Sequence, residues 1–260
     1  MMYEKRGDET LEKLPHENIY VLQKKGGYRF SVDAIILADF IRIPRAFRAV
    51  ELGSGSGVIS LILARRHSDI MVQGYDIHQE FVEMSNRSAR INSLEKVVVF
   101  SRMDVRKVLN VCDPACCDVV FFNPPYRRVG SGRVNPEGMK AAARHELNGG
   151  VDDFVKAASW LVREKGRVYA IYTAKRSATL VNAMKNRGIE PKTIRFVHSF
   201  RESPASFILV EGTRGGGEET KVPPPLVIYE SPGAYSDEMK RIFNGSRLRV
   251  EDSYSSPRGS

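Results

Sequence analysis

Four consecutive residues, Asn123-Pro124-Pro125-Tyr126, can together hold a flat molecule that carries an amino group. They follow the apolar run Val119–Phe122, which is typical of a strand buried on both faces. Two prolines stop strand pairing and stiffen the backbone, so the Asn123 side-chain oxygen and the Pro124 carbonyl can face one ligand. These acceptors match the two hydrogens of a planar –NH2 group, and the Tyr126 ring offers a surface on which a base can stack.

This arrangement predicts chemistry on an exocyclic amine nitrogen. Accepting both hydrogens favours the electron shift that exposes the nitrogen lone pair, and preorganised acceptors stabilise the charge that develops there. Positioning does most of the remaining work. No strong general base is required, and no Ser–His–Asp or Cys–His arrangement stands out in the sequence.

A glycine-rich turn, Glu51-Leu52-Gly53-Ser54-Gly55-Ser56-Gly57, lies between a predicted strand and a predicted helix. Glycine permits positive φ and lets a ligand approach the backbone closely. The G-x-G-x-G spacing differs from the G-x-G-x-x-G of dinucleotide-binding proteins. Alone, such a loop is a weak signal, because glycine also occurs in plain turns between a strand and a helix.

Acidic residues at successive strand ends favour a ligand. Asp76 ends the next predicted strand, followed by Ile77, and Asp104 follows the strand after that. Asp76 can accept hydrogen bonds from ribose hydroxyls, and Asp104 from an adenine amino group, while Val105 offers its N–H. Each acid alone is more often a helix cap. With Glu51 they predict a pocket for an adenosine with a cationic tail, because a pyrophosphate would avoid carboxylates.

These residues need a scaffold, and the pattern of the chain predicts one. The predicted strands are 47–52, 71–76, 96–101, 118–123, 167–172, 193–199 and 206–211, and the predicted helices are 58–66, 79–92, 151–165 and 177–187. Alternation of this kind predicts an α/β fold with a doubly wound, mostly parallel, seven-stranded sheet and right-handed crossovers. Ligands of such sheets bind at the carboxyl ends of the strands.

Three segments are expected along the chain. Residues 1–46 form a short N-terminal extension packed on the catalytic domain, 47–243 form that domain, and 244–260 form a disordered tail. Within the extension, 1–17 are expected to be loose, with a strand over 18–22 and a helix over 31–41.

Residues 47–126 resemble the core of class I S-adenosylmethionine methyltransferases, in which the amine attacks the sulfonium methyl in line. The resemblance implies S-adenosylmethionine as cofactor, with Glu51 to Gly57 holding the methionine moiety, Asp76 the ribose and Asp104 the adenine. The motif at 123–126 resembles that of methyltransferases acting on adenine, guanine or glutamine nitrogen. The implied catalytic residues are Asn123, Pro124, Pro125 and Tyr126. The implied cofactor-binding residues are Phe30, Asp33, Glu51, Gly53, Ser54, Gly55, Gly57, Asp76, Ile77, Asp104, Val105 and Asn123.

Over residues 18–243 the chain is similar to bacterial tRNA adenine-N(6) methyltransferases, which act on the adenosine beside the anticodon of a valine tRNA. The similarity is carried by 27–38, by 223–229 and by 233–235. In that family an early Phe and Asp help to close the cofactor pocket, which implicates Phe30 and Asp33. The resemblance implies tRNA or another structured RNA as the partner.

A basic character fits such a partner. The formal net charge is +9, and basic surfaces attract phosphates. The polar loop Arg127–Asn148 is expected to clamp a nucleic-acid backbone. Its predicted substrate-binding residues, with the stacking tyrosine, are Tyr126, Arg127, Arg128 and Arg144. The motif Arg201-Glu202-Ser203-Pro204 receives no role from these considerations.

The sequence excludes several classes of protein and of binding site. No apolar run reaches the ~18 residues of a membrane span, and the N-terminus lacks a signal-peptide core, so no membrane partner and a cytoplasmic location are predicted. Cys112, Cys116 and Cys117 have no second Cys or His pair, so no metal site is predicted.

Other functions remain open at this point. Within the same methyl-transfer chemistry, the alternative acceptors are a guanine 2-amino group, a DNA adenine and a protein glutamine. The 46 residues before the sheet are too few for the helical domain of glutamine methylases. A non-catalytic RNA-binding module does not need the Asn-Pro-Pro-Tyr geometry, and a nicotinamide-dependent oxidoreductase would need a different glycine spacing.

Overall fold

The computed structural model describes residues 5–14, 17–26, 32–43, 47–125 and 149–245. The strands are β1 (Glu9–Leu14), β2 (Ile19–Lys24), β3 (Phe47–Leu52), β4 (Ile70–Asp76), β5 (Val98–Arg102), β6 (Cys117–Phe122), β7 (Val162–Thr173), β8 (Ile189–His198), β9 (Ala205–Arg214), β10 (Leu226–Val227), β11 (Tyr229–Ser231) and β12 (Ala234–Tyr235). The α-helices are α1 (Val32–Phe40), α2 (Val58–Arg66), α3 (Gln79–Ile91), α4 (Val108–Val111), α5 (Val151–Leu161), α6 (Ser177–Lys185) and α7 (Asp237–Phe243).

The main sheet has the order β10-β8-β9-β7-β6-β3-β4-β5 in the part of the chain that is described. Strands β7, β6, β3, β4 and β5 are parallel, whereas β9 runs antiparallel to both of its neighbours. The predicted seven strands and the mostly parallel, doubly wound arrangement are confirmed. The short strand β10 adds an eighth at the edge beside β8, and two residues after a proline run carry no periodicity that predicts a strand.

Two apolar layers cover the sheet, one on each face. Alternate residues of β6 point to opposite faces, so Val119 and Phe121 join one layer while Val120 and Phe122 join the other. Helices α1, α2 and α3 contribute to the first layer, and α5 and α6 to the second. Burial on both faces explains the unbroken apolar run of β6.

The predicted helix 151–165 is too long at its C-terminal end. Helix α5 ends at Leu161, and β7 begins at Val162, which pairs with Cys117 of β6. Arg163, Glu164 and Lys165 are exposed within this strand. Their polarity after an amphipathic helix resembles a final helical turn. They lie instead in an irregularity between Val162 and Arg167, which both pair with β6, and Lys165 there has a φ of 60°.

The expectation that residues 1–17 are loose is wrong over β1, which forms an antiparallel hairpin with β2. The hairpin is fastened to α3. Asn92 accepts from Tyr20 N at 2.8 Å, and Ser88 Oγ accepts from Leu22 N at 3.0 Å. Glu9 is 1% exposed and forms a buried ion pair with Arg87, with Nη1 and Oε2 2.8 Å apart. These partners are remote in sequence, so the local polar pattern does not predict the hairpin.

The C-terminal segment packs beside the end of β8. Four aromatic rings form a ladder from Phe200 through Tyr229 and Tyr235 to Phe243, with successive ring centroids 5.6, 5.1 and 4.7 Å apart. The motif 201–204 lies in the tight turn between β8 and β9, where Phe200 N donates to Ser203 Oγ at 2.9 Å. The motif, which received no predicted role, therefore forms the turn that joins these two strands.

Candidate active site

The predicted site residues gather at the carboxyl edge of the parallel strands. Leu52 of β3 pairs with Tyr75 of β4 and with Phe122 of β6. The next residues, Gly53, Asp76 and Asn123, therefore lie level with one another. Because neighbouring strands are about 5 Å apart, Asp76 and Asn123 flank Gly53 at opposite sides, about 10 Å from each other.

The glycine turn is built on backbone geometry that favours glycine. Gly53, Gly55 and Gly57 have φ of 70°, 52° and 73°. A Cβ on Gly53 would lie 3.0 Å from Phe154 Cε1, and one on Gly57 would lie 2.5 Å from Phe100 Cζ. The loop thus needs glycine both for positive φ and for the close approach of two rings of the protein core.

Glu51 is buried beneath this turn, with 2% of its surface exposed. Ser60 Oγ of α2 donates to Glu51 Oε2. Burial raises the pKa of Glu51 to about 8; the nearby Asp76 charge also raises it, and the Ser60 hydrogen bond opposes the rise. An acid of this kind is ready to lose its proton when a cation binds next to it.

Asp76 supports the turn from the end of β4. Its Oδ2 accepts from Gly55 N at 2.8 Å, and its Oδ1 accepts from His78 N at 2.9 Å. Ile77, between these contacts, is half-buried, and its carbonyl accepts from Arg102 Nε at 3.2 Å. Two backbone N–H groups therefore hold the Asp76 carboxylate in place at the sheet edge.

Asp104 caps the 3-10 turn Val105–Lys107 and is paired with Arg106. The carboxylate accepts from Arg106 N at 3.0 Å and forms an ion pair with its Nη2 at 2.6 Å. The Arg106 guanidinium holds the pKa of Asp104 below its ordinary value. Arg106 Nε also donates to both oxygens, so the carboxylate accepts four hydrogen bonds from Arg106. That fills its acceptor positions, and a further donor would have to replace one of these bonds. Val105 beside it is buried.

Asn123 directly follows β6 and is half-buried, and Pro124 behind it is buried. Asn123 Nδ2 donates to Asp33 Oδ2 at 3.0 Å. Asp33 lies in the first turn of α1 and is 1% exposed. This hydrogen bond thus joins the helix of the N-terminal segment to the predicted catalytic motif.

Five predicted site residues, namely Phe30, Tyr126, Arg127, Arg128 and Arg144, lie outside the described residues. The predicted loop 127–148 also lies there. In the described parts of the chain, no three His, Cys, Asp or Glu side chains group as a metal site. No described helix has the length and apolar character of a membrane span.

Several neighbours of the site were missed by sequence reasoning. Two polar side chains pair with predicted acids: Ser60 with Glu51 and Arg106 with Asp104. Two rings pack against the glycine turn, namely Phe100 at Gly57 and Phe154 at Gly53. Only Arg106 carries a local signal, since an arginine two residues after an acid can pair with it. The other contacts depend on how the helices pack on the sheet.

Comparisons with known proteins match most of the chain. The family model described as methyltransferase small domain matches residues 33–186. The chain is 23% identical over 215 residues to the tRNA1(Val) (adenine(37)-N6)-methyltransferase of Pedobacter heparinus, covering 83% of this chain and 89% of that protein. It is 24% identical over 226 residues to the protein of the same name from Aeromonas hydrophila, covering 85% and 91%.

Solved structures share the fold. A predicted O-methyltransferase from Agrobacterium tumefaciens matches with a TM-score of 0.68 at 21% identity, over 83% of this chain and 97% of that one. TrmN from Thermus thermophilus matches with a TM-score of 0.52 at 20% identity, over 70% and 48%. The predicted class I methyltransferase fold is confirmed by these likenesses.

Proposed function

Because the chain belongs to the methyltransferase small domain family, we propose that it methylates the 6-amino group of an adenine in tRNA. The chain is an S-adenosylmethionine-dependent methyltransferase, and S-adenosylmethionine is its cofactor. When bound, the cofactor supplies a methyl group on a positively charged sulfur, and the acceptor amine takes that methyl and releases a proton. What we propose is the identity of the acceptor.

The observation that carries the proposal is the placement of Asn123 at the end of β6, level with Gly53. An acceptor amine held by Asn123 and the Pro124 carbonyl would lie beside the glycine turn, where the methyl donor is expected. Two fixed acceptors draw the amine hydrogens into one plane and aim the lone pair. Acceptors that are held in place before binding leave little to reorganise during the reaction.

The residues of the edge fit the cofactor. Ser54 Oγ is buried and has no hydrogen-bond partner among the described residues, which leaves a donor and acceptor inside the turn. Glu51 and Asp76 place acidic groups on the side where a cationic amino acid tail and ribose hydroxyls would lie. We propose that Glu51 to Gly57 hold the methionine moiety, that Asp76 and Ile77 hold the ribose, and that Asp104 and Val105 hold the adenine.

The relatives favour RNA as the acceptor. The proteins of Pedobacter heparinus and Aeromonas hydrophila are named for adenine 37 of a valine tRNA. We propose the corresponding adenosine, next to the anticodon, for this chain. The net charge of +9 suits a polyanion, and Tyr126 is proposed to stack on the base with Arg127, Arg128 and Arg144 on phosphates. A cytoplasmic location follows from a tRNA substrate.

The test is mass spectrometry of nucleosides from tRNA incubated with the protein and S-adenosylmethionine, the tRNA coming from cells that lack the gene. N(6)-methyladenosine should appear with the native protein and with Asn110→Ala, an exposed asparagine in α4. It should be absent with Asn123→Ala. Methylated guanosine would overturn the base assignment, and methylation of protein glutamine alone would overturn RNA as the substrate. Cofactor binding without methylation of any acceptor would instead support a binding module.

A further inference from the structure

We propose that Asp33 is a positioning residue that sets the orientation of the Asn123 amide. The proposal rests on the proposed function, because it explains how Asn123 presents an oxygen to the acceptor amine. Asp33 and Asn123 are 90 residues apart in the chain, and Asn123 Nδ2 donates to Asp33 Oδ2 at 3.0 Å. Asp33 would act through Asn123, whereas the resemblance assigned it to the cofactor pocket.

An asparagine amide has two ends of nearly equal shape and opposite hydrogen-bond character. If its NH2 group faced the acceptor amine, two donors would meet and the amine would be repelled. An ionised carboxylate offers only acceptors. It therefore selects the amide orientation in which Nδ2 faces Asp33 and Oδ1 turns the opposite way.

Asp33 is itself held in place. Its Oδ1 accepts from Ala34 N at 2.9 Å, so its two oxygens have different fixed partners. Helix α1 is buried along most of its length and packs in the same apolar layer as α2 and β7. The Asp33 carboxylate is therefore fixed in position, and it determines the orientation of the Asn123 amide.

The same contacts predict the effect of Asp33→Asn. The backbone N–H of Ala34 needs an acceptor, so it keeps the oxygen of the new amide on its side. The new NH2 group must then face Asn123. Asn123 would turn its own oxygen towards position 33 and its NH2 group towards the substrate. We expect kcat to fall about 100-fold, the usual loss when one preorganised partner is removed.

The reciprocal change should repair this defect. Asn123→Asp alone places two carboxylates about 3 Å apart, which cannot both be ionised comfortably. In the double variant Asp33→Asn/Asn123→Asp, the amide at 33 donates to the carboxylate at 123, whose second oxygen again faces the amine. We expect kcat of the double variant to exceed that of either single variant by at least tenfold. Both substitutions conserve side-chain shape.

The experiment measures kcat and KM for RNA at saturating S-adenosylmethionine, and the Kd of S-adenosylmethionine by calorimetry, for these variants. Asp39→Asn is the matched control, because Asp39 lies on the same helix and pairs with Arg66 at 3.6 Å. Asp33→Asn should lower kcat while the cofactor Kd stays within twofold, and the control should match the native protein. An Asp33→Asn variant with kcat within threefold of native, or a double variant no better than Asn123→Asp, would overturn the proposal. A cofactor Kd weakened tenfold with kcat retained would assign Asp33 to the cofactor pocket instead.

A second readout does not depend on RNA. In ¹⁵N-labelled protein, the Asn123 side-chain NH2 signal is identified by its loss in Asn123→Ala. Its protons should exchange slowly with solvent in the native protein and faster in Asp33→Asn. Equal exchange rates would refute the pairing. If native protein methylates no RNA, the proposed function fails, and this measurement still decides whether Asp33 orients Asn123.

Discussion

The buried acid Glu51 gives a sharp prediction about stability. Its pKa in the folded protein is raised from 4.5 to about 8 because burial disfavours the charged form. Between pH 5 and pH 8 the native state keeps this proton while the unfolded chain releases it. Rising pH therefore favours unfolding, and the stability present below pH 5 is lost as the pH approaches 8.

The magnitude follows from proton linkage. One proton held only by the native state costs about 1.4 kcal/mol of unfolding free energy per pH unit. From pH 5 to pH 8 this amounts to about 4 kcal/mol, a large part of the stability of an ordinary domain. Glu51→Gln keeps the shape and the hydrogen bond from Ser60 but cannot ionise. The variant should have nearly native stability at pH 5 and should be the more stable protein at pH 8.

The assay is urea unfolding followed by far-ultraviolet circular dichroism, at half-unit steps from pH 5 to pH 8.5 and constant ionic strength. The informative quantity is the difference in unfolding free energy between native protein and variant, because other titrating groups cancel in it. Glu95→Gln is the control, since Glu95 is exposed, and its difference should be flat. A flat difference for Glu51→Gln as well would mean that Glu51 is ionised in the native state, and the burial argument would be refuted.

Three further changes test other contacts. Ser60→Ala removes a hydrogen bond that favours the charged form of Glu51, so the loss of stability with rising pH should extend above pH 8 in the same urea titration. Gly74→Ala would place a Cβ 2.3 Å from Phe100 Cδ1, and we expect a loss of about 1–3 kcal/mol in thermal or urea unfolding; Gly217→Ala, with nothing within 4 Å, should be nearly neutral. Arg87→Met leaves the Glu9 carboxylate buried and unpaired, which should cost about 3–5 kcal/mol. The double variant Arg87→Met/Glu9→Met should recover most of that loss, and its failure to do so would show that the N-terminal hairpin depends on more than this pair. Since Arg87 holds the pKa of Glu9 below its ordinary value, the contribution of the native pair should also fade as the pH drops through that lowered pKa.

Local patterns in the sequence determine the sheet and the position of the predicted catalytic motif. Strands buried on both faces need continuous apolar runs, such as Val119–Phe122, and a polar residue directly after such a run must lie at the sheet edge. The glycine turn is recognisable for the same local reason, because positive φ favours one residue type. These signals need no knowledge of distant residues, so the strand ends that carry Glu51, Asp76, Asp104 and Asn123 could be predicted.

Tertiary structure alone decides what these groups face. The partner of Asn123 is Asp33, 90 residues earlier, and the partner of Glu51 is Ser60 on the following helix. The hairpin forms because β1 pairs with β2 and because β2 is hydrogen-bonded to the C-terminal end of α3. The polar sequence of the hairpin does not indicate these contacts. Charge energies depend on burial and on neighbours within a few ångströms. Both arise only when the chain folds, so the raised pKa of Glu51 and the fixed amide of Asn123 are properties of the assembled fold.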